Sequence, residues 1–540
     1  MGALALAPAH DLRDDLILVH LYLGSPERWR RPFEFGRSSK CKTHNCPAEE
    51  TIHPVRSKSL WSRGRERLRS AAHVNGQPTL TIFLHMCLLW TFGSYKESHI
   101  VIGLSQVVAL SRLLSAALVA VALISTPVFT QEGGTVLVTA DRLIDGLGNL
   151  HEPGAVLVEG EVITAIGDDA RNANVARTVE LGDVTLLPGL IDLHTHLTDA
   201  VESYWEEVLV TTTPPQAALH GAANARTTLL AGFTTVRDMG PAWAFTDVDL
   251  RDVIDEGVLP GPRMLVAGNY VSATGGAGDA RQFSIYVDVP TAQNLADGPA
   301  EVRKVVRTNL KNGADFIKIL ATGAVLSQGI SPGAQQYSDE ELAVAVVEAG
   351  RWGKFVASHA HGAEGIKASV RAGVRTVDHG SMMDEEGLAM LLDSDFTYYV
   401  PTLYVGVIVP RNGAALGIPQ EQIDRSTEMM RYRNATFRRA MEAGLTVGFG
   451  TDAGVFEHGD NAREFQLRVE NGQSAMDVIT SATSVNATII GWQDRVGSVE
   501  SGKFADLIAV PGNPLDDISV MERVVWVMKG GRVVTMDARW

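Results

Sequence analysis

The chain has 540 residues, a formal net charge of −16 and a pI near 5.4. Because nucleic acids are bound by basic surfaces, this acidic balance argues against a nucleic-acid-binding protein. The length exceeds that of one compact domain and predicts two domains.

The first 103 residues differ in composition from the rest of the chain. They carry 14 Lys+Arg against 9 Asp+Glu, whereas the remainder carries 33 basic and 54 acidic residues. All three cysteines, Cys41, Cys46 and Cys87, lie here. The spacing in "CKTHNC" resembles one half of a zinc site, but no second pair of zinc ligands follows it at a workable distance. We interpret residues 1–103 as disordered or as a non-native N-terminal extension.

Residues 104–130 have the make-up of a secretory signal. Arg112 precedes an apolar run from Leu113 to Ile124, which is followed by small residues and a proline but by no clear A-x-A cleavage site. The run is too short to span a bilayer comfortably. It predicts a periplasmic or secreted protein with no stable membrane span in the mature chain. A misplaced leader, a membrane-anchoring helix and a cytoplasmic protein are the alternatives.

Short β-rich runs broken by turn residues occur at both ends of the remaining chain. "TVLVTADRLIDG" and "GAVLVEGEVITAIG" lie near its start, and "GKFADLIAVPGNPL" and "RVVWVMKGGRVVTM" lie near its end. We therefore expect residues 131–188 and 498–540 to pair into one small β-sandwich domain.

Between these ends, residues 189–497 alternate apolar runs with amphipathic stretches. One such stretch, "SDEELAVAVVEAGRWG", predicts a helix with Ser338 as N-cap and Glu341 completing a capping box. The eight apolar runs are "GLIDLHTH", "FTTVRDM", "RMLVAG", "DFIKIL", "KFVASHAH", "RTVDHG", "TYYVPTL" and "TVGFGTDA". This alternation predicts an α/β fold, a (β/α)8 TIM-like barrel with its active site at the C-terminal ends of the strands.

Polar side chains gather in and at the ends of these runs. They are His194, His196, Lys318, His359, His361, His379 and Asp452. Alternate residues of a strand point the same way, so each His-x-His pair aims at one place. Imidazoles and a carboxylate suit zinc. A lysine ammonium cannot bind a cation, but a desolvated, neutral amine can add CO2 to become an anionic carbamate that bridges two metals. An ion pair of Lys318 with a nearby carboxylate is the alternative.

Several of these motifs resemble the amidohydrolase superfamily of metal-dependent hydrolases. They are "LPGLIDLHTH", "FIKI", "HAHG", "VDHGS", "GTDAG" and the tail "SGKFADLIAV". "IKILATGAV" and "VASHAHGAEGI" resemble the branch with Xaa-Pro dipeptidases, carboxypeptidase-like amidohydrolases and ochratoxinase. The resemblance covers roughly residues 134–536.

The resemblance implies two Zn²⁺ ions per chain, or other divalent metals. One is held by His194, His196 and Asp452, a second by His359 and His379, and carboxylated Lys318 bridges them. A hydroxide shared by the metals attacks the scissile carbonyl, and Asp452 acts first as general base and then as general acid.

Three further residues have weaker signals. His361 is expected to stabilise the oxyanion or bind substrate. The alternative is a structural role, or contact with a metal ligand instead of the substrate. Tyr337 is a candidate substrate contact, although packing at the start of the next helix is the simpler interpretation. Arg237 is expected to form a structural ion pair with Asp238 or a neighbour. The Gly-rich segment 268–283 predicts a loop at the rim of the site.

The resemblance implies hydrolysis of the amide bond to a C-terminal amino acid in a dipeptide or N-acyl amino acid. Prolidase-like or carboxypeptidase-like activity is the favoured interpretation, and ochratoxin A is an alternative substrate of the same class. An imidazolonepropionase-like cyclic-amide hydrolase, with one metal and no carboxylated lysine, and a non-catalytic scaffold are the alternatives. No G-x-S-x-G motif supports a serine hydrolase. A homo-oligomer, an octamer by resemblance, is expected.

Overall fold

The computed structural model describes residues 134–199, 205–281, 283–287, 289 and 294–534. The predicted N-terminal extension, the signal-like segment and the three cysteines lie outside the described residues. None of the helices in the described part is long and apolar enough to cross a membrane.

Eighteen strands are described. They are β1 (Val136–Ala140), β2 (Arg142–Ile144), β3 (Leu150–His151), β4 (Gly154–Glu159), β5 (Val162–Ile166), β6 (Arg177–Glu180), β7 (Val184–Pro188), β8 (Leu190–Thr195), β9 (Phe233–Asp238), β10 (Arg263–Val266), β11 (Tyr270–Val271), β12 (Ile317–Leu320), β13 (Val356–Gly362), β14 (Thr376–Met382), β15 (Tyr398–Val400), β16 (Leu507–Pro511), β17 (Trp526–Lys529) and β18 (Arg532–Val534).

Thirteen α-helices are described with them. They are α1 (Gly167–Arg171), α2 (Trp205–Thr211), α3 (Pro214–Leu230), α4 (Thr246–Asp255), α5 (Gly298–Lys311), α6 (Asp339–Gly350), α7 (Ala363–Ala372), α8 (Glu385–Leu392), α9 (Val405–Asn412), α10 (Gln420–Glu442), α11 (Arg463–Glu470), α12 (Ala475–Thr480) and α13 (Asn486–Ile489). Short 3-10 segments span Asp460–Ala462 and Ile518–Glu522, and a π-helical turn spans Ser481–Val485.

Two sheets are built from the ends of the described chain. A four-stranded sheet has the order β5-β4-β1-β6, and a six-stranded sheet has the order β18-β17-β16-β7-β2-β3. In the larger sheet β16 pairs antiparallel with β7, with Leu507 opposite Pro188. Side chains from both sheets, such as Val156 and Leu186, lie in one hydrophobic cluster. Strands from the two ends of the described chain therefore share one small core.

The central part contains two parallel sheets with helices between their strands. Their orders are β10-β9-β8 and β11-β12-β13-β14-β15. On one side the two sheets are linked by a hydrogen bond from Asp315 N to Val266 O at 2.8 Å. On the other side, residues 447–453 have parallel bridges to Tyr399 of β15 and Thr195 of β8.

The eighth predicted strand, residues 446–453, makes these isolated bridges instead of forming a continuous strand. Glycines explain how closely it approaches its neighbours. A Cβ at Gly450 would lie 2.6 Å from Val400 Cγ1 and 3.0 Å from His194 Cβ. Glycine weakens regular strand structure but allows this close packing.

Alternation along the strands separates the core from the site. In β12, Ile317 and Ile319 belong to a buried cluster with residues of α5, α6, α7 and α10. Lys318 and Leu320 line a cavity on the opposite face. The predicted capping box at the start of α6 is confirmed, because Glu341 N donates to Ser338 Oγ and Ser338 N donates to the Glu341 carboxylate at 2.8 Å. Strand β12 thus turns Ile317 and Ile319 toward the helices and Lys318 toward the cavity.

Candidate metal centre

One cavity collects the polar residues predicted at the strand ends. It encloses about 1290 Å³, including the part open to solvent. The predicted residues that line it are His194, His196, Lys318, His359, His361, His379 and Asp452. Side chains from five separate segments of the chain therefore meet in one place.

His194 and His196 face a single carboxylate oxygen. Nε2 of each ring lies 3.4 Å from Asp452 Oδ1. The other ring nitrogens point away from this place: Nδ1 of His194 lies 3.3 Å from Asp378 Oδ1, and Nδ1 of His196 donates to Gly240 O at 2.8 Å. Such outer contacts fix the tautomer and orient the ring of a metal-ligating histidine.

His379 completes a compact donor set with two of these residues. Ligand atoms of His194, His379 and Asp452 all lie within 4.8 Å of one another. Nδ1 of His379 is 2.9 Å from Thr402 Oγ1, which leaves Nε2 free for a ligand. The set has the nitrogen and oxygen donors that zinc prefers.

His359 and His361 stand beside His379. The ring centroids of His359 and His379 are 4.6 Å apart, and the His361 ring stacks on His379 at 5.0 Å. Nε2 of His359 lies 3.2 Å from Gly323 O, so Nδ1 is its free nitrogen. Nδ1 of His361 lies 2.9 Å from Ser381 Oγ.

Lys318 is buried in the wall of the cavity without a partner. Among the described residues, its Nζ has no hydrogen bond and forms no ion pair. The ion pair considered as an alternative for this lysine is therefore not found there. Burial lowers the pKa of Lys318 to about 8, so the neutral amine becomes accessible near physiological pH.

Burial also keeps most of the imidazoles neutral. It lowers the pKa of His194 to about 4 and of His359 to about 3, and those of His361 and His379 lie well below the usual range. Neutral imidazole is the form that binds a metal.

Asp452 and His196 form the charged part of the cluster. Burial raises the pKa of Asp452, but His194 and His196 outweigh it and hold that pKa below the usual range. Burial lowers the pKa of His196, but Asp452 raises it to about 9. Without a metal, a proton on His196 thus provides the positive charge that the carboxylate attracts.

Two of these residues have strained backbones. His379 has φ of 67° and Asp452 has φ of 69°, a region that non-glycine residues seldom adopt. Neighbouring contacts hold both in place: Tyr399 OH donates to His379 O at 3.1 Å, and Asp452 N donates to His194 O at 2.7 Å. Strain of this kind concentrates at functional sites.

Comparison with known proteins identifies the family of this chain. Residues 185–534 match the amidohydrolase family. The chain belongs to the amidohydrolase family. It is 29% identical to ochratoxinase of Aspergillus niger over 432 residues, which cover 75% of this chain and 87% of that enzyme. Amidohydrolases are typically metal-dependent hydrolases of amide bonds, and His194, His379 and Asp452 are the candidate site for a metal here.

Solved structures give the same assignment. A Xaa-Pro dipeptidase with bound methionine in its active site is 37% identical, with a TM-score of 0.69, and the match covers 74% of this chain and 99% of that one. A prolidase complexed with N-methylphosphonate-L-proline is 29% identical, with a TM-score of 0.69 and coverage of 74% and 99%. This amidohydrolase thus shares the α/β fold of both.

A buried ion pair supports His194 from behind. Arg237 forms an ion pair as expected, but its partner is Asp378, which accepts from Arg237 Nη2 at 2.8 Å. Asp238, the residue named as the expected partner, accepts from Leu197 N at 2.6 Å instead. Sequence reasoning did not single out Asp378, although it directly precedes His379 on β14. It connects the arginine to a candidate ligand of the amidohydrolase site.

The structure does not place Tyr337 at the cavity. Its ring is buried in the core beside the start of α6, and its hydroxyl donates to Ala296 O at 3.0 Å. The simpler interpretation, packing at the helix entry, describes this position. The Gly-rich segment does reach the cavity, through Tyr270, Ala277 and Gly278.

Proposed function

We propose that this amidohydrolase cleaves the amide bond to a C-terminal amino acid in dipeptides or N-acyl amino acids. The observation that carries the proposal is the unpartnered, buried Lys318 amine in one cavity with the imidazoles and Asp452. The similarity to a Xaa-Pro dipeptidase, a prolidase and ochratoxinase supports this substrate class.

Two divalent cations, zinc by donor type, fit the residues present. His194, His196 and Asp452 would hold one and His359 and His379 would hold the other, so the compact set of His194, His379 and Asp452 would contribute to both sites. Lys318 would be a further ligand as a carbamate, formed when its neutral Nζ adds to CO2 and releases one proton. The buried amine without a partner supports this assignment, because an ammonium among metal ions would be repelled.

When bound, the metals lower the pKa of a water molecule and polarise the scissile carbonyl. The remaining steps fall to the side chains. Asp452, ionised at neutral pH, accepts the proton of the attacking water and passes it to the leaving amine. In the tautomer whose Nδ1 accepts from Ser381 Oγ, the Nε2–H of His361 is free to stabilise the developing oxyanion.

We also propose a closed architecture for the parallel strands. The contact of Asp315 with Val266 and the bridges of residues 447–453 support one (β/α)8 barrel. The shared cluster of the two terminal sheets supports a β-sandwich. Secretion and a homo-octamer stay predictions.

Lys318 separates the main proposal from its alternatives. Imidazolonepropionase-like enzymes use one metal and need no carboxylated lysine, and scaffold proteins of this fold lose metal ligands. Here every predicted ligand lines the cavity.

Metal analysis and a substrate panel test the proposal. The panel contains Xaa-Pro, Xaa-Arg and Xaa-Phe dipeptides, N-aroyl-phenylalanine and imidazolonepropionate. We expect about two zinc ions per chain and chelator-sensitive cleavage of the acyclic amides. Cleavage of imidazolonepropionate with about one metal per chain would support the cyclic-amide alternative, and a metal-free, inert protein would support the scaffold.

A further inference from the structure

Arg433 presents a second unpartnered cation to the same cavity. It lies on α10, is 2% exposed and lines the cavity with the candidate metal ligands. Among the described residues, its Nε and Nη1 have no hydrogen-bond partner and it forms no ion pair. A buried charge of this kind is costly unless an anion compensates it.

The two carboxylates that act on the charge of Arg433 are already engaged. Asp452 and Glu464 attract its charge without forming a salt bridge with it. Asp452 faces His194 and His196, as described above. Glu464 accepts from Arg468 Nε at 2.8 Å and from the backbone N–H groups of Leu403 and Tyr404. Neither of these carboxylates is therefore available to pair with Arg433.

The surroundings hold the guanidinium in this position. A Cβ added at Gly406 of α9 would clash with Arg433 Nη1, so the glycine leaves space for it. One turn further along α10, Thr436 Oγ1 donates to Ser381 O at 2.9 Å. Ser381 also contacts His361, and the charge of Arg433 lowers the pKa of that histidine. The helix thus carries Arg433 to the side of the cavity occupied by His361.

We propose that Arg433 binds the free α-carboxylate of the substrate's C-terminal amino acid and so selects substrates that end in a carboxylate. The inference rests on the proposed function and specifies how its substrate is recognised. A guanidinium matches a carboxylate in charge and in planar geometry, and burial strengthens the pair.

Arg433→Met tests the proposal, with Arg431→Met as the matched control. Arg431 lies two residues away on the same helix and is exposed. The assay compares kcat/KM for N-acyl amino acids with kcat/KM for the same compounds as C-terminal carboxamides. For Arg433→Met we expect a loss of about 30- to 3,000-fold on the acids, the range for removing one member of a buried charge pair. Carboxamide cleavage should change by less than about threefold, and the control should match the wild type.

The thermal stability of the ligand-free protein gives a second readout. Because Arg433 has no partner to lose, Arg433→Met should keep or raise the Tm, since replacing an uncompensated buried charge by an apolar side chain removes a cost. A purely structural arginine would instead lower the Tm on substitution, which would count against the proposal. If Arg433→Met does not fold, Arg433→Gln is assayed in the same way.

Binding separates this inference from the proposed function. Calorimetry measures the affinity of L-proline, L-phenylalanine and their carboxamides for the wild type and Arg433→Met, with no turnover required. If the wild type prefers the free acids and the variant does not, the result supports carboxylate binding by Arg433. An unchanged preference in the variant overturns the inference. A wild type that cleaves no amide refutes the proposed function, and the binding result still decides the role of Arg433.

Discussion

Replacing Asp378 by asparagine tests how the fold orients a candidate metal ligand. Asp378 is fully buried, and its carboxylate accepts from Arg237 Nη2 at 2.8 Å and from Thr376 Oγ1 at 3.0 Å. It also lies 3.3 Å from Nδ1 of His194. Asparagine keeps the shape of the side chain but removes its charge.

Two losses are expected. Arg237 would remain as a buried cation without its counter-ion, which costs about 3–5 kcal/mol when one partner of a buried pair is removed. His194 would lose a charged acceptor at Nδ1, and outer contacts of this kind change metal affinity by about 10- to 100-fold. We therefore expect both a lower free energy of unfolding and a higher Kd for zinc.

The stability that Asp378 contributes depends on pH with a defined sign. Burial raises the pKa of Asp378, but Arg237 outweighs burial and holds that pKa below its usual range. A depressed pKa in the folded state stabilises the protein above the unfolded value of about 3.9, and this stabilisation is lost as the pH falls toward the folded value. The difference in stability between wild type and Asp378→Asn should be full at neutral pH and shrink below about pH 4.

Urea denaturation of the metal-free protein and competition with a chromophoric chelator measure the two losses. Glu464→Gln is the matched control, because Glu464 and Arg468 form a buried ion pair at 2.8 Å. Both variants should lose comparable stability, but only Asp378→Asn should lose zinc affinity. If Asp378→Asn weakens zinc binding no more than Glu464→Gln does, Asp378 does not orient His194 for the metal.

Three further predictions concern other parts of the molecule. Lys318→Met should bind about one metal fewer per chain by metal analysis, and added bicarbonate should not restore it. In the metal-free protein the pKa of His196 is raised to about 9, so its protonated form stabilises the fold fully below the unfolded pKa of about 6.5. The difference in stability between the wild type and His196→Gln should therefore decrease to zero as the pH rises through 9. Gly189→Ala would clash with Thr234 and should cost about 1–3 kcal/mol in urea denaturation, whereas Gly350→Ala, which meets no neighbour, should cost nothing.

The composition of the cavity could be predicted because strand periodicity is local. In β12 the order Ile-Lys-Ile puts the lysine opposite two core residues, and in β13 His359 and His361 occupy alternate positions. Once the strands run parallel, their C-terminal ends meet, so side chains far apart in sequence share one place. The capping box at Ser338 was predictable for the same reason, since it spans only four residues.

Contacts that depend on long-range register could not be predicted. Arg237 and Asp378 are separated by 141 positions, and nothing in either local sequence indicates their pairing. The hydroxyl of Tyr337 donates to Ala296 O, a backbone atom 41 positions away. The local sequence does not show this acceptor, so it could not indicate that the ring lies in the core. The strand pattern of residues 446–453 likewise did not reveal that its glycines permit close packing instead of regular pairing.

Charge connects the two proposals about the cavity. Lys318 and Arg433 are buried cations in its wall, and Asp378, behind His194, is already paired with Arg237. Adding two divalent ions would increase the positive excess. Lys318 can reverse its charge by carboxylation, because burial makes its neutral form accessible. A guanidinium keeps its proton throughout the physiological range, so Arg433 needs an anion from outside. A substrate carboxylate would supply that anion, and this is why substrate charge, more than the size of the acyl group, should dominate selectivity here.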